Sequence, residues 1–149
     1  MSFSLELKNG DIGLSGTSLG VVTDAAKLQQ DLVCCILTPL GFMNLHPDFG
    51  SILEENLINP ETQIIGTQQW KRAAALVRSE LLRICQNYQQ QQIARNEQDG
   101  IRFGKPTLTP GEILLRVISI DFVQSEDHLL CKLKLEIGND TIETNVPIA

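Results

Sequence analysis

The chain has 149 residues, 42% of them hydrophobic, enough to bury one ordinary core and too few for two. Its formal charge of -6 argues against a general nucleic-acid binder, because neutralising phosphates needs surplus Lys and Arg. No apolar run approaches the ~18 residues of a membrane span, and Met1 to Lys8 has neither the basic start nor the apolar segment of a signal peptide. A soluble, cytoplasmic single domain over residues 1–149 is expected.

From Ser2 to Lys8, Phe3, Leu5 and Leu7 alternate with Ser4 and Glu6, which predicts a strand, and Asn9-Gly10 suits a tight turn into a hairpin with Asp11 to Leu14. Gly13, Gly16 and Gly20 follow. They lack the lysine and Ser/Thr offsets of a phosphate-cradling loop, so they read as a flexible approach to the first helix.

Residues 23–57 read as helix, rigid loop, helix. Thr23 or Asp24 is placed to cap the first helix, and Leu28, Leu32, Cys35 and Ile36 form its apolar face. Pro39 and Gly41 stop it. The loop closes on His46-Pro47-Asp48-Phe49-Gly50, and Ser51 with Glu54 has the spacing of a capping box for the second helix.

Asn59-Pro60 ends the second helix and opens the third, which Gly66 weakens until about Thr67. Trp70, Ala74, Val77, Leu81, Ile84 and Tyr88 fall on one face, while Lys71, Arg72, Arg78 and Arg83 lie mostly on others, read as a solvated helix surface with docking of an acidic partner as the alternative. The Gln89–Gln92 run and the polar residues through Asp99 leave two readings open: a helical extension projecting from the body, or disorder.

Gly104, Pro106, Pro110 and Gly111 then divide a helical half, about 23–99, from a β half, about 112–149. Glu112 to Val123 is apolar on both faces, as a strand buried on both sides would be. Leu129, Cys131, Leu133, Leu135 and Ile137 alternate with Leu130, Lys132, Lys134 and Glu136, giving a strand with one wet face. Ser125-Glu126-Asp127 and Gly138-Asn139-Asp140 supply turns, and Ile142, Thr144, Val146 and Ile148 mark the last strand, placed at an edge by Pro147. The predicted fold is α+β, with helices packed on a mainly antiparallel sheet that ends in a three-stranded meander. Cys34, Cys35, Cys85 and Cys131 have neither Cys-x-x-Cys nor histidine at metal-ligand spacing, so buried free thiols and no metal or cofactor are expected.

Gln30-Asp31-Leu32, Leu37-Thr38-Pro39-Leu40-Gly41 and His46-Pro47-Asp48-Phe49-Gly50-Ser51, in this order and spacing, resemble the signature of the baseplate-wedge and tail-sheath-initiator family of contractile phage tails, also called phage baseplate assembly protein W. Where many members carry Glu-Arg after the glycine, this chain has Phe42-Met43. The resemblance implies a structural protein of the virion, assembled in the host cytoplasm into a ring at the tail baseplate. Its implied partners are baseplate wedge proteins and the tail sheath protein, with the tail tube as a further neighbour, and neither nucleic acid nor membrane. It implies that sheath arms add strands to the C-terminal sheet, whose edge carries Ile142, Thr144, Val146 and Ile148. The loop residues His46, Pro47, Asp48, Phe49 and Gly50 are the corresponding wedge-binding candidates.

Relatives have also carried a lysozyme-like label, and glycoside hydrolysis needs two carboxyl groups set across a cleft. Asp48, Glu54 and Glu55 are the carboxylates near the loop, but Glu54 reads as a cap, Glu55 as a surface residue and Asp48 as a turn acceptor. His46 could act as acid or base with Asp48, yet no Ser or Cys nucleophile is placed to join them. A non-enzymatic role is the expectation.

Overall fold

A computed structural model of the chain describes residues 3–9, 11–53, 69–124 and 129–147, the side chains of 69–73, 124 and 129 excepted. The N-terminal residues form a β ribbon. Strand β1 (Phe3–Leu5) pairs with β6 (Val21–Thr23), β2 (Leu7–Lys8) with β3 (Asp11–Ile12), and β4 (Leu14–Ser15) with β5 (Ser18–Leu19), all antiparallel. Asn9 supplies the positive φ of 54° for the expected hairpin between β2 and β3.

The expectation of a flexible approach through Gly13, Gly16 and Gly20 is corrected, because the arms of the ribbon meet in a ring of main-chain bonds. The N–H of Glu6 donates to Gly20 at 2.9 Å, that of Gly20 to Gly13 at 2.8 Å, and that of Gly13 to Glu6 at 2.6 Å. A Cβ at Gly20 would lie 3.1 Å from the Gly13 carbonyl oxygen, and one at Gly13 would lie 3.2 Å from that of Glu6. These glycines allow close backbone approach.

Helix α1 spans Asp24–Leu37 and buries Leu28, Leu32, Cys35 and Ile36, the predicted face. The expected side-chain cap is not made: Thr23 occupies the N-cap without a cap bond, and the Asp24 carboxylate accepts the Thr109 hydroxyl instead. The helix stops before Pro39 as expected, with the Thr38 hydroxyl returning to the Cys34 carbonyl at 2.6 Å and Gly41 at φ 77°.

Helix α2, Gln69–Phe103, has 35 residues, so it is roughly 50 Å long at 1.5 Å per residue. Val77, Leu81, Ile84 and Cys85 are buried along it, and Ala74 and Tyr88 are half-buried. The Gln89–Gln92 run is helical rather than disordered, but the expected projection from the body is corrected, because Gln92 is buried and Gln89 half-buried against the start of the sheet. The second predicted helix beyond Leu53, the Asn59-Pro60 junction, Gly66 and the side chains of Trp70, Lys71 and Arg72 lie outside the described residues.

Strands β7 (Leu114–Gln124), β8 (Leu129–Ile137) and β9 (Thr141–Pro147) form the antiparallel meander in the order β7-β8-β9, so the fold is α+β as expected. The Ser125 to Asp127 turn lies outside the described residues. Cys131, Leu133, Leu135 and Ile137 face the core while Lys134 is exposed, as the alternation predicts. Strand β7 is not buried on both sides: Leu115, Ile118 and Val123 are 48%, 44% and 45% exposed. Register shifts fall between Leu114 and Arg116 and between Val117 and Ser119, so apolar residues at the bulges blur a period of two. Both helices cover one face of the sheet, and Leu28, Leu32, Val77, Leu81, Leu133, Leu135 and Val146 fill the layer between.

Candidate functional site: a clamped loop and an open sheet edge

The residues that carry the sequence motif tie separate parts of the chain to α1. The Gln30 side-chain amide donates to the Leu5 carbonyl at 2.8 Å and accepts the Leu7 N–H at 2.9 Å, holding the ribbon as a paired strand would. Asp31 accepts the Ser4 hydroxyl at 3.4 Å, the Tyr88 hydroxyl at 3.0 Å and the Lys27 ammonium. Burial, reinforced by the Asp31 charge, pushes the Tyr88 phenol well above its usual range. Leu32 is fully buried beneath them.

The loop after α1 is closed at its base by Ser51. Its N–H donates to the Thr38 carbonyl at 2.8 Å, its carbonyl accepts the Leu40 N–H at 2.9 Å, and its hydroxyl donates to the Ile36 carbonyl at 2.5 Å. The same hydroxyl accepts the Leu53 N–H at 3.3 Å, while Glu54, the other half of the predicted capping box, lies outside the described residues. Gly50 stands at φ 109°, and a Cβ there would be 2.6 Å from the Pro39 carbonyl oxygen. From α2, Arg83 donates to the Gly50 carbonyl at 3.0 Å and Glu80 accepts the Ile52 N–H at 3.1 Å, with the two side chains joined at 2.6 and 2.9 Å. The Arg83 hydrogen bonds hold the Glu80 carboxyl below its ordinary value, against the opposing effect of burial.

Above that base, hydrogen bonds from Phe42 to Pro39, from His46 to Met43 and from Phe49 to His46 fold the chain into successive turns. The predicted wedge-binding residues divide between tip and base. His46, Pro47 and Asp48 are exposed, Phe49 packs against the core and Gly50 is buried. The exposed apolar part of the loop is Phe42 (76% exposed) and Leu45 (90%), flanked by Leu40 and Met43. These residues were missed because a loop has no hydrophobic period; their one signal is apolar character between breakers.

Asp48 and Phe49 also line a cleft of about 320 Å3 with Lys27, Asp31, Tyr88 and Arg95. The carboxylate of Asp31 is already held by its three donors, and no cluster of metal-ligating side chains occurs among the described residues. Glu54 and Glu55 lie outside the described residues.

The two edges of the sheet differ. In an antiparallel ladder, residues point both main-chain groups alternately toward and away from the neighbouring strand. The Ile137 N–H bonds the Asp140 carbonyl at 2.9 Å, so Ile142, Thr144 and Val146 of β9 bond β8, while Thr141, Glu143, Asn145 and Pro147 point outward. Pro147, which lacks a donor, fits that phase. By the same alternation, Leu114, Ile120 and Phe122 face outward on β7.

Side chains of α2 cover part of the β7 edge. Gln92 accepts the Leu114 N–H at 3.0 Å and donates to the Glu112 carbonyl, Gln89 donates to the carbonyls of Leu114 (3.1 Å) and Leu115, and Arg78 donates to the Ile120 carbonyl at 3.3 Å. On β9, the Asp140 carboxylate holds the Thr141 N–H at 2.7 Å and Gln29 donates to the Glu143 carbonyl at 3.0 Å. Among the described residues, no side chain bonds the Glu143 N–H or the main chain of Asn145. Among the described residues, side chains hold two of the outward main-chain groups of β9 and leave the rest open.

Comparison with protein-family models, with curated proteins and with solved structures found no match. Of the sheath-binding candidates, Val146 and Thr144 are buried, Ile142 packs against the core and Ile148 lies outside the described residues. Their side chains support the strand from behind; the groups offered outward belong to Glu143, Asn145 and Pro147. The cysteines are free thiols, with Cys35, Cys85 and Cys131 buried and Cys34 half-buried. Burial pushes Cys85 and Cys131 up to about 12, which leaves them protonated and unreactive at neutral pH.

Proposed function

We propose that this chain is a structural component of a contractile phage-tail baseplate, a sheath initiator that joins wedge proteins to the first ring of tail sheath. The motif along α1 and its loop supports the family reading. The observation that carries the functional one is the inequality of the sheet edges: Gln89, Gln92 and Arg78 of α2 bond main-chain groups of β7 at Leu114, Leu115 and Ile120, whereas β9 leaves the main chain of Asn145 unpaired among the described residues. An extended sheath arm added there would complete the ladder, gaining affinity from main-chain bonds and register from alternating side chains. The wedge-facing surface in this reading is the loop tip, Phe42, Leu45 and Pro47 with His46 and Asp48. Its base is fixed by Ser51, Glu80 and Arg83, so an apolar tip is presented without ordering a free loop on binding. The role is non-catalytic, with the tail tube as a further neighbour and no cofactor.

The test is co-production with the sheath and wedge proteins of the same genome. Asn145→Pro removes an outward donor and no ladder bond, so it should abolish sheath recruitment and leave wedge binding intact. Normal sheath growth from baseplates carrying Asn145→Pro would overturn the proposal.

A further inference from the structure

Glutamine amides stand in for missing strands at several edges of this chain, and they differ in how firmly they are held. Gln30 makes two bonds to β1 and β2, Gln92 two around Leu114, and Gln89 two to successive carbonyls of β7. Gln29 differs. Its Nε2 reaches one acceptor, the Glu143 carbonyl, and its Oε1 has no partner among the described residues. That single bond is exposed to solvent, and beside it the Glu143 N–H and the main chain of Asn145 are open among the described residues.

We propose that Gln29 is a displaceable latch on the β9 edge, holding the Glu143 carbonyl in the free chain and yielding it to a docking strand. The inference rests on the strand-addition reading above and adds an order of events to it. Pairing starts at Asn145 and Pro147, where nothing has to be removed, and runs toward the turn at Gly138-Asn139-Asp140. At Glu143 the incoming N–H meets an acceptor that Gln29 already occupies and takes its place. Asp140, bonded to the Thr141 N–H, marks where the ladder ends. A latch of this kind also protects the molecule: with the Glu143 carbonyl held, the edge offers a shorter template to a second copy of itself.

The experiment measures binding of the soluble sheath protein of the same genome to the wild-type chain, Gln29→Ala, Gln29→Met and Asn145→Pro. Removing a competing exposed hydrogen bond should tighten binding roughly two- to tenfold in both Gln29 variants, mainly by slower dissociation. Methionine keeps the length of the side chain, so agreement between the variants excludes a packing effect of the truncation. Unchanged affinity in both, with Asn145→Pro abolishing binding, sinks the latch and leaves strand addition standing. Weaker binding in both shows that Gln29 stays as a contact in the complex, which also overturns displacement. Binding by Asn145→Pro at wild-type affinity removes strand addition itself, and the latch with it.

Discussion

Gln92 lies against Leu114 as the main chain of a neighbouring strand would, accepting its N–H at 3.0 Å while the same side chain donates to the Glu112 carbonyl. The glutamine is 8% exposed, so the Leu114 N–H depends on it rather than on water. Replacing it with leucine keeps the bulk and strands the buried Leu114 N–H, for a cost of roughly 1–3 kcal/mol. Urea unfolding checks this, and Gln90→Leu on an exposed position is the control. Equal stability of the two variants would show that the edge of β7 does not need its side-chain cover.

That pair also marks what was legible beforehand. The apolar faces of α1, α2 and β8 are periodic and could be read, as could the breakers at Pro39 and Gly41 and the edge placement by Pro147. The Gln89–Gln92 run could not be placed, because hydropathy scores a polar side chain alike whether it serves water or a buried backbone. Strand β7 was misread for a related reason: bulges at Leu115 and Ile118 bring apolar residues out to solvent and break the alternation that would have shown its wet face. The glycines of the ribbon hid close contact behind an appearance of flexibility. At the candidate site, the motif located the loop but not its exposed tip at Phe42 and Leu45.

The base of the loop gives a second prediction, from two glycines with positive φ. Gly50, at 109°, has carbonyl oxygens of Pro39 and Thr38 2.6 and 2.7 Å from any added Cβ, whereas Gly41, at 77°, has nothing within 4 Å. Gly41→Ala should cost about 1 kcal/mol, the left-handed backbone penalty alone. Gly50→Ala must also push α1's end away from Ser51, so a cost on the order of 3 kcal/mol is expected. Thermal unfolding of the two variants separates these; the reverse order would mean that the Gly50 contact relaxes freely.

A third prediction concerns pH. The folded-state value of Glu80 is depressed by Arg83, so its contribution is fully present above the ordinary glutamate value of 4.5 and is lost as pH falls through the lowered folded value. Glu80→Gln should therefore destabilise the protein at pH 7 and converge on wild type in acid. Stability curves measured from pH 7 downward would contradict this if the gap between the proteins stayed constant or widened.

The loop tip supplies a fourth. Phe49 packs on the core and would report folding if replaced, but Phe42 and Leu45 are the exposed apolar residues of the tip. Changing both to serine should leave unfolding within about 0.5 kcal/mol of wild type, as for other surface changes, while wedge binding falls at least tenfold. Titration calorimetry against the wedge protein tests it, and full affinity in the double variant would move the wedge contact away from this loop.

The last prediction separates neighbouring residues of β9 by the direction of their N–H groups. Thr144 is paired with Leu133 and its N–H points into the ladder, so Thr144→Pro deletes an internal bond; the substitution is useless for probing the outer edge. Asn145 points the other way, as Pro147 does, and accepts proline without losing a ladder bond. Thr144→Pro should therefore destabilise by ~3 kcal/mol or more, and Asn145→Pro by much less. Thr144 carries a further test of the same geometry, because its hydroxyl is buried with no partner among the described residues. Thr144→Val keeps the shape and removes that unsatisfied group, so it should raise stability by about 1 kcal/mol. Amide exchange on the proline variants and chemical unfolding on all three decide the matter: a stable Thr144→Pro beside an unfolded Asn145→Pro would place the ladder in the opposite phase and close the edge now assigned to a partner strand.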